Sequence, residues 1–320
     1  MKYAVLFPGQ GSQKVGMGLD CVELPIAKGL FDKTDKITGQ KTSEVFLRGP
    51  EAELNQTKNT QPSIVTVSVL LTLLLNEELK KKGFEFAPSA SCGHSLGEFT
   101  ALWLSGLLSI DDLIRIVSIR GNLMQNAPPG AMAAVLNITK EQLQELFVSE
   151  KLGNKVIIAN YNTPTQLVIS GEKESVELLV PKIKSLGGKA ILLPVSGAFH
   201  SPLMELSSKE FNVELDKVKI LSTNLNPPVF QNVDGELSTD ILTVKEKIKK
   251  QMTSSVLWTQ IVNNLSKAGI KSVIEIGPGK VLTGLVKKIN PEIVCYNIDG
   301  ITSLNEFVSS YQVNFLAAKR

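Results

Sequence analysis

The segment 93–97, with the sequence GHSLG, constrains the fold of this chain more than any other feature. A serine between two glycines at this spacing is typical of a nucleophile elbow, a sharp turn between a strand and a helix. Small residues at 89–92 precede the turn, and a stretch typical of a helix follows it at 96–105. The glycines allow strained backbone angles at Ser95. The motif therefore predicts an α/β fold in which a strand-end serine forms a covalent ester.

The composition excludes several classes of protein. The 320 residues suffice for about two structural units. With 34 basic and 31 acidic residues the net charge is +3, which is too balanced for binding nucleic acid by phosphate neutralisation. Cys21, Cys92 and Cys295 are scattered and odd in number, so we expect a reducing compartment, the cytoplasm. Histidine occurs only at 94 and 200, and no cluster has metal-ligand spacing, so we expect no metal site.

The apolar segments of the chain do not predict a membrane protein. The longest of them, at 64–75, contains Thr66, Ser68 and Thr72 and is well short of the roughly 20 residues that a span needs. We interpret it as a buried helix. The apolar run at 3–7 is ended by proline and glycine, which indicates a first strand rather than a signal peptide.

Strands and helices alternate along the first 128 residues, which favours a parallel sheet covered by helices. After 128–130 (PPG) the order changes to strand, helix, strand, strand, helix, strand, which is the ferredoxin-like arrangement. The first pattern resumes at 227–230. We therefore predict a large α/β-hydrolase-like domain at 1–128 and 196–320, with a small ferredoxin-like subdomain inserted at 129–195. The predicted strands are 3–7, 89–92, 131–136, 155–160, 166–170, 189–194, 195–199, 271–276 and 293–298, and the predicted helices are 61–82, 96–105, 110–126, 139–151, 173–186 and one from about 303.

A serine nucleophile needs a base, and His200 is the favoured candidate. It follows a predicted strand at 195–199, and α/β folds place their sites at strand ends. His94 is the alternative, but adjacent side chains on a tight turn point apart, so we expect it to pack behind Ser95. No acid stands out as a third member of a triad, because candidates such as Asp111 and Asp112 look like helix starts. A backbone carbonyl could orient the histidine instead.

Two glycine-containing loops follow predicted strands. The loop at 7–13 (FPGQGSQ) fails as a dinucleotide fingerprint because Lys14 stands where the third glycine belongs. The backbone amide of Gln10 in this loop suits the second half of an oxyanion hole. The loop at 277–280 (GPGK) lacks the spacing of a phosphate-binding loop, so we interpret it as a strand-to-helix turn.

Arg120 is one of only four arginines in the chain. Within a pocket, its guanidinium would bind a carboxylate with two parallel hydrogen bonds, which a lysine cannot reproduce. The alternative is a solvated arginine on an amphipathic helix.

Taken together, these motifs resemble the family of malonyl-CoA:acyl carrier protein transacylases. The resemblance extends from the first strand almost to the C-terminal helix, in the order of the family. The motifs that carry it are FPGQGSQ at 7–13, GHSLGE at 93–98, RGNLMQ at 120–125, AFHSP at 198–202 and EIGPGKVL at 275–282, with further matches at 60–62, 160–162 and 166–171.

The resemblance implies a role for each matching residue. Ser95 would be the nucleophile that malonyl-CoA acylates, and His200 the base that then protonates the leaving thiolate. The backbone amides of Gln10 and Leu96 would form the oxyanion hole. Arg120 would bind the malonyl carboxylate.

Two further positions follow from the same resemblance. In the family a glutamine seven residues before a tryptophan offers its main-chain carbonyl to the histidine, and Gln251 has this relation to Trp258. Between them, Ser255 replaces the commoner proline. Phe199 precedes the histidine, where a bulky side chain would crowd an α-methyl group and disfavour methylmalonyl.

The implied function is ping-pong transfer of malonyl from coenzyme A to the phosphopantetheine thiol of acyl carrier protein in fatty-acid synthesis. We expect no bound cofactor or metal, a monomer, and the coenzyme A thioester and acyl carrier protein as partners, without nucleic acid or membrane. The alternatives are a serine esterase or thioesterase, in which water resolves the acyl-enzyme, and a catalytically silent module that docks the carrier protein.

Overall fold

The structure is a computed structural model that describes residues 2–195 and 197–311. The described strands are β1 (Tyr3–Phe7), β2 (Ala90–Gly93), β3 (Ala131–Leu136), β4 (Val156–Thr163), β5 (Gln166–Gly171), β6 (Lys189–Leu192), β7 (Asn224–Phe230), β8 (Leu237–Asp240), β9 (Ser272–Ile276) and β10 (Val294–Ile298). The described α-helices are α1 (Pro25–Thr38), α2 (Thr42–Arg48), α3 (Glu51–Leu54), α4 (Thr57–Lys81), α5 (Gly97–Leu104), α6 (Ile110–Gln125), α7 (Lys140–Ser149), α8 (Lys173–Ser185), α9 (Glu205–Asp216), α10 (Ile241–Lys250), α11 (Trp258–Lys267), α12 (Val281–Ile289) and α13 (Ile301–Tyr311).

The larger sheet has the strand order β10-β9-β1-β2-β7-β8. Its strands pair in parallel except for β8, which runs antiparallel to β7. Every residue of β1, β2 and β9 is buried, as expected for the interior of a parallel sheet with helices on both faces. The carboxyl ends of β1 and β2 lie side by side, with Phe7 paired to Gly93. The loops that follow these two strands are therefore neighbours.

Helix α4 is the long apolar helix that the sequence predicts. It is the one described helix that is long and apolar enough to cross a membrane, but 78% of its apolar window is buried inside the protein. The hydroxyls of Thr66 and Thr72 donate to carbonyls one turn back, those of Pro62 and Ser68, both at 2.7 Å. The burial of its apolar residues confirms the prediction of a buried core helix.

The smaller sheet is antiparallel, in the order β4-β5-β3-β6. Helices α7 and α8 supply a separate apolar core for it, which includes Val135, Leu143, Ile169 and Leu179. The order of its strands and helices along the chain is strand, helix, strand, strand, helix, strand. The predicted fold class, a parallel-dominated α/β sheet with a separate small antiparallel sheet, is confirmed. The residue boundaries of the two domains stay a prediction.

The predicted strand at 195–199 is wrong. Ser196 lies outside the described residues, Gly197 makes one isolated bridge to Pro129, and Phe199 and His200 lie in a turn. Pro194 lacks an N–H for a sheet, and His200 has a left-handed φ of 57°. The chain therefore leaves the small sheet after Leu192 and delivers His200 from a strained turn.

Candidate active site

Ser95 lies in the turn between β2 and α5, with a left-handed φ of 51°. A Cβ on Gly93 would overlap the backbone of Gly97, and a Cβ on Gly97 would overlap the carbonyl of Phe7. Both glycines are therefore required by close backbone approach. Asn232, two residues after β7, closes the turn: its Oδ1 accepts from the Ser95 N–H at 2.6 Å and its Nδ2 donates to the Gly93 carbonyl at 2.7 Å.

The structure brings His200 to Ser95. The distance from Ser95 Oγ to His200 Nε2 is 2.7 Å. His200 Nδ1 lies 3.0 Å from the carbonyl of Gln251 and 3.1 Å from that of Ser254. Carbonyls only accept, so Nδ1 carries the proton and Nε2 is free to accept from the serine. Burial, followed by the positive charge of Arg120, lowers the pKa of His200 to about 3.

Arg120 is buried at 1% exposure, so the alternative of a solvated helix arginine is wrong. Its Nη2 donates to Ser95 Oγ and to Gln251 Oε1, both at 3.0 Å, and its Nη1 donates to Gln61 Oε1 at 3.0 Å. The guanidinium carbon lies 5.4 Å from the centre of the Phe99 ring. Among the described residues, Nε has no hydrogen-bond partner. Burial lowers the pKa of Arg120 to about 10, so it stays charged near neutral pH.

Glu98 and the side chain of Gln251 complete a polar network that sequence reasoning missed. Glu98 is fully buried, and its Oε2 accepts from Gln251 Nε2 at 2.6 Å. Gln251 Nε2 also donates to the Ser95 carbonyl at 2.9 Å. Burial raises the pKa of Glu98 to about 7, although the Gln251 hydrogen bond opposes the shift. The available signal was a carboxylate three residues after Ser95, followed at once by the apolar residues of α5.

A pocket of about 270 Å³ opens above Ser95 and His200. Residues of both sheets and their loops line it: Gln10, Gly11, Gln13, Asn55, His94, Ser95, Met124, Met132, Asn160, Leu193, Pro194, Val195, Phe199 and His200. Gln10 and Phe199 thus lie where the sequence predicts them, at the site. Leu96 directly follows the serine and is the N-cap of α5, where amides have no carbonyl of the preceding turn to bind.

His94 does not bond to Ser95. Its Nε2 lies 2.8 Å from Asn162 Oδ1, and its ring centre lies 5.7 Å from that of Trp258. His94 also lines the pocket. The part of the chain that the structure describes contains no group of three or more His, Cys, Asp or Glu residues that could hold a metal ion.

The geometry defines a serine acyltransferase or hydrolase site, and comparison with known proteins narrows the class. The model of the acyl transferase domain family matches residues 5–294. A malonyl CoA-acyl carrier protein transacylase of Bacillus subtilis is 42% identical over 90% of both chains. One of Escherichia coli K12 is 36% identical over 90% of this chain and 93% of its own. This chain belongs to the acyl transferase family, among the malonyl CoA-acyl carrier protein transacylases.

Solved structures agree with this assignment. The crystal structure of a malonyl CoA-acyl carrier protein transacylase from Clostridium perfringens has a TM-score of 0.89 and 35% identity, with full coverage of both chains. A malonyl-transacylase solved in complex with its type II PKS acyl-carrier protein has a TM-score of 0.89 and 32% identity, over 97% of this chain and all of the other.

Proposed function

We propose that this enzyme transfers malonyl from malonyl-CoA to the phosphopantetheine thiol of acyl carrier protein, through a malonyl ester on Ser95, in fatty-acid synthesis. The observation that carries the proposal is the 3.0 Å contact between Arg120 Nη2 and Ser95 Oγ. It puts a buried, fixed cation next to the atom that receives the acyl group. An acyl group with its own carboxylate is the cargo that such a cation favours.

In the acylation step, His200 Nε2 takes the proton of Ser95 as Oγ attacks the thioester carbonyl. The carbonyls of Gln251 and Ser254 hold the Nδ1–H and thereby keep the imidazole in the tautomer that can accept. We assign the backbone amides of Gln10 and Leu96 to the oxyanion. His200 then protonates the coenzyme A thiolate as it leaves.

Arg120 changes partners during this step. In the free site Nη2 donates to the serine hydroxyl oxygen. After acylation that oxygen belongs to an ester and is a weaker acceptor, so Nη2 turns to the malonyl carboxylate. The unpartnered Nε is available as the second donor of a bidentate pair.

The second half-reaction repeats the chemistry with another thiol. The phosphopantetheine thiol of the carrier protein gives its proton to His200 and attacks the ester, and Ser95 recovers the proton. We assign no metal or bound cofactor to this cycle, because base, oxyanion donors and carboxylate clamp all come from the chain.

We further propose that the enzyme is a cytoplasmic monomer, and light scattering after gel filtration tests the oligomeric state. Phe199, buried at the pocket wall, is our candidate for excluding methylmalonyl.

Intact-mass measurement tests the function. Mixing the enzyme with malonyl-CoA should add one malonyl group, absent in Ser95→Ala, and holo acyl carrier protein should then remove it. An adduct lost to water at the same rate without the carrier would favour the thioesterase alternative. Carrier binding without any adduct would favour the silent docking module, which the 2.7 Å Ser95–His200 bond argues against.

A further inference from the structure

Glu98 is a buried carboxylate that the mechanism above does not use. It has no exposed surface. Its Oε2 accepts from Gln251 Nε2 at 2.6 Å, and its Oε1 accepts from the backbone N–H of Asn232 at 3.3 Å. Both partners are neutral. A buried carboxylate needs a compensating charge or a proton.

Arg120 supplies the compensating positive charge, and the side chain of Gln251 lies between Arg120 and Glu98 and bonds to both. Gln251 Oε1 accepts from Arg120 at 3.0 Å while its Nε2 donates to Glu98. The other titratable neighbours are the Cys92 thiol, whose pKa burial and then the charge of Glu98 raise, and His200, which burial keeps neutral. In the free site the charges of Glu98 and Arg120 therefore cancel.

A malonyl ester on Ser95 upsets this balance, because it brings a second carboxylate to the same arginine. Two carboxylates and one guanidinium leave one negative charge in excess in a buried site. A buried carboxylate that has lost its counter-charge gains a proton, because the neutral form costs less to bury.

We propose that Glu98 takes up a proton when Ser95 is malonylated, so that the malonyl carboxylate replaces Glu98 as the counter-charge of Arg120. This inference rests on the proposed function. The overall step consumes malonyl-CoA, the Ser95 hydroxyl, ionised Glu98 and one solvent proton. It yields malonyl-Ser95, the coenzyme A thiol and neutral Glu98. The C–S bond breaks, the C–O bond forms, and the serine proton ends on the thiol.

The acid–base properties of Glu98 support the proposal. Its pKa of about 7 means that it is mostly ionised above pH 7 and mostly protonated near pH 6. An added negative charge nearby raises that pKa further. By linkage, lower pH must then favour the malonyl ester over the free enzyme to the same extent. An acetyl ester carries no carboxylate and should show neither effect.

Proton uptake tests this directly. Stoichiometric wild-type enzyme in weak buffer with a pH indicator dye is mixed with malonyl-CoA or with acetyl-CoA, and intact mass counts the adducts in parallel. At pH 7.5 we expect uptake of a large fraction of one proton per malonyl adduct, less at pH 6, and none per acetyl adduct. Malonyl adduct without uptake, or equal uptake with both acyl groups, would overturn the proposal. Absence of the malonyl adduct would instead refute the proposed function.

A matched pair of variants locates the proton. Glu98→Gln should abolish the uptake while some malonyl adduct still forms. Glu275→Gln is the control, because Glu275 is equally buried but binds the first amides of α12, Leu282 at 3.0 Å and Thr283 at 2.7 Å. It should keep the wild-type uptake. If Glu98→Gln does not fold, the proposal is still tested by the wild-type enzyme, through the comparison of proton uptake between malonyl-CoA and acetyl-CoA and between pH 7.5 and pH 6.

Discussion

At the scale of single residues, Arg120 links the nucleophile to the choice of acyl group. Replacing it by alanine removes the cation at Ser95 and leaves Glu98 buried without its counter-charge. Loss of one partner of a buried charge pair costs about 2–5 kcal/mol. The pair that matters for catalysis is Arg120 with the malonyl carboxylate, so we expect Arg120→Ala to lower kcat/KM for malonyl-CoA about 100-fold or more. Acetyl-CoA should be used equally or better.

The measurement is kcat/KM for both thioesters with the same holo carrier protein. Arg120→Lys is the informative companion, because it keeps the charge but loses the planar fork. It should recover only part of the malonyl activity. An unchanged ratio of malonyl to acetyl use in Arg120→Ala would remove this residue from the site.

His200 makes the stability of the protein depend on pH. Its pKa is about 3 in the folded state and about 6.5 when unfolded, so between these values the unfolded chain binds a proton that the folded chain does not. Stability is therefore lost as pH falls below about 6.5. In His200→Gln, the drop in the free energy of unfolding between pH 6.5 and 5 should be smaller by about 2 kcal/mol.

Urea titrations at both pH values measure this difference. The raised pKa of Glu98 makes the protein more stable as pH falls, which is opposite to the effect of His200. Glu98 is present in both proteins, so its effect on stability cancels in the comparison. Ser95→Ala is the control that retains a buried His200 and should keep the wild-type pH dependence. Equal pH dependence in wild type and His200→Gln would contradict a depressed pKa.

The sequence predicted the residues that meet at the site better than the contacts among them. Ser95 and His200 are marked by local motifs and by the scarcity of histidine. The bonds from Arg120 to Gln61 and from Gln251 to Glu98 join residues 59 and 153 positions apart. No local pattern encodes such distances. Two backbone carbonyls take the place of a triad acid, and a carbonyl leaves no signature of residue type in the sequence.

At the scale of elements, the turn between β2 and α5 depends on two glycines. Gly97→Ala would push a Cβ into the Phe7 carbonyl of β1, so helix and strand must separate. We expect a loss of about 1–3 kcal/mol in stability together with loss of Ser95 acylation. Gly284→Ala in α12 is the matched control, since nothing lies within 4 Å of its Cβ position. It should stabilise by about 0.5–1 kcal/mol. Urea unfolding of both variants checks the pair, and equal effects would mean that the close approach is not required.

Elements with strong local signals were predicted, and others were missed for identifiable reasons. Strand β1 is an unbroken apolar run ended by proline, β9 is a buried strand with Glu275 as its one charged residue and is ended by glycine, and α4 is a long apolar helix. Helices α9 and α10 were not predicted; each buries only two apolar side chains, Phe211 and Leu215 in α9 and Val244 and Ile248 in α10. Val195 and Phe199 suggested a strand, but both line the pocket.

At the scale of the whole molecule, the site lies between the two sheets. Met132 and Asn160 from the small sheet line the same pocket as Ser95 and His200. The segment 251–254, which carries the two carbonyls for His200, leads directly to residues 255–256, which hydrogen-bond to β4. At this joint, the Val256 N–H donates to the Ala159 carbonyl at 2.8 Å. The orientation of the base is therefore tied to the position of the small sheet.

The side chain of Ser255 strengthens this joint. Its hydroxyl donates to the Ile158 carbonyl at 2.7 Å. Ser255→Ala should cost about 1 kcal/mol of stability and lower kcat/KM about five-fold, because the neighbouring Ser254 carbonyl then holds His200 less firmly. Amide hydrogen exchange should quicken at Val256 and Tyr161, which bond across the joint.

Ser309→Ala is the matched control for this last variant. The Ser309 hydroxyl also donates to a backbone carbonyl, that of Asn305 at 2.8 Å, but it does so within α13. It should leave kcat/KM and exchange at the joint unchanged. If Ser255→Ala loosens the joint without lowering kcat/KM, the small sheet shapes the pocket but does not orient the base. If neither changes, the hydroxyl contributes nothing that the backbone bonds of the joint do not already supply.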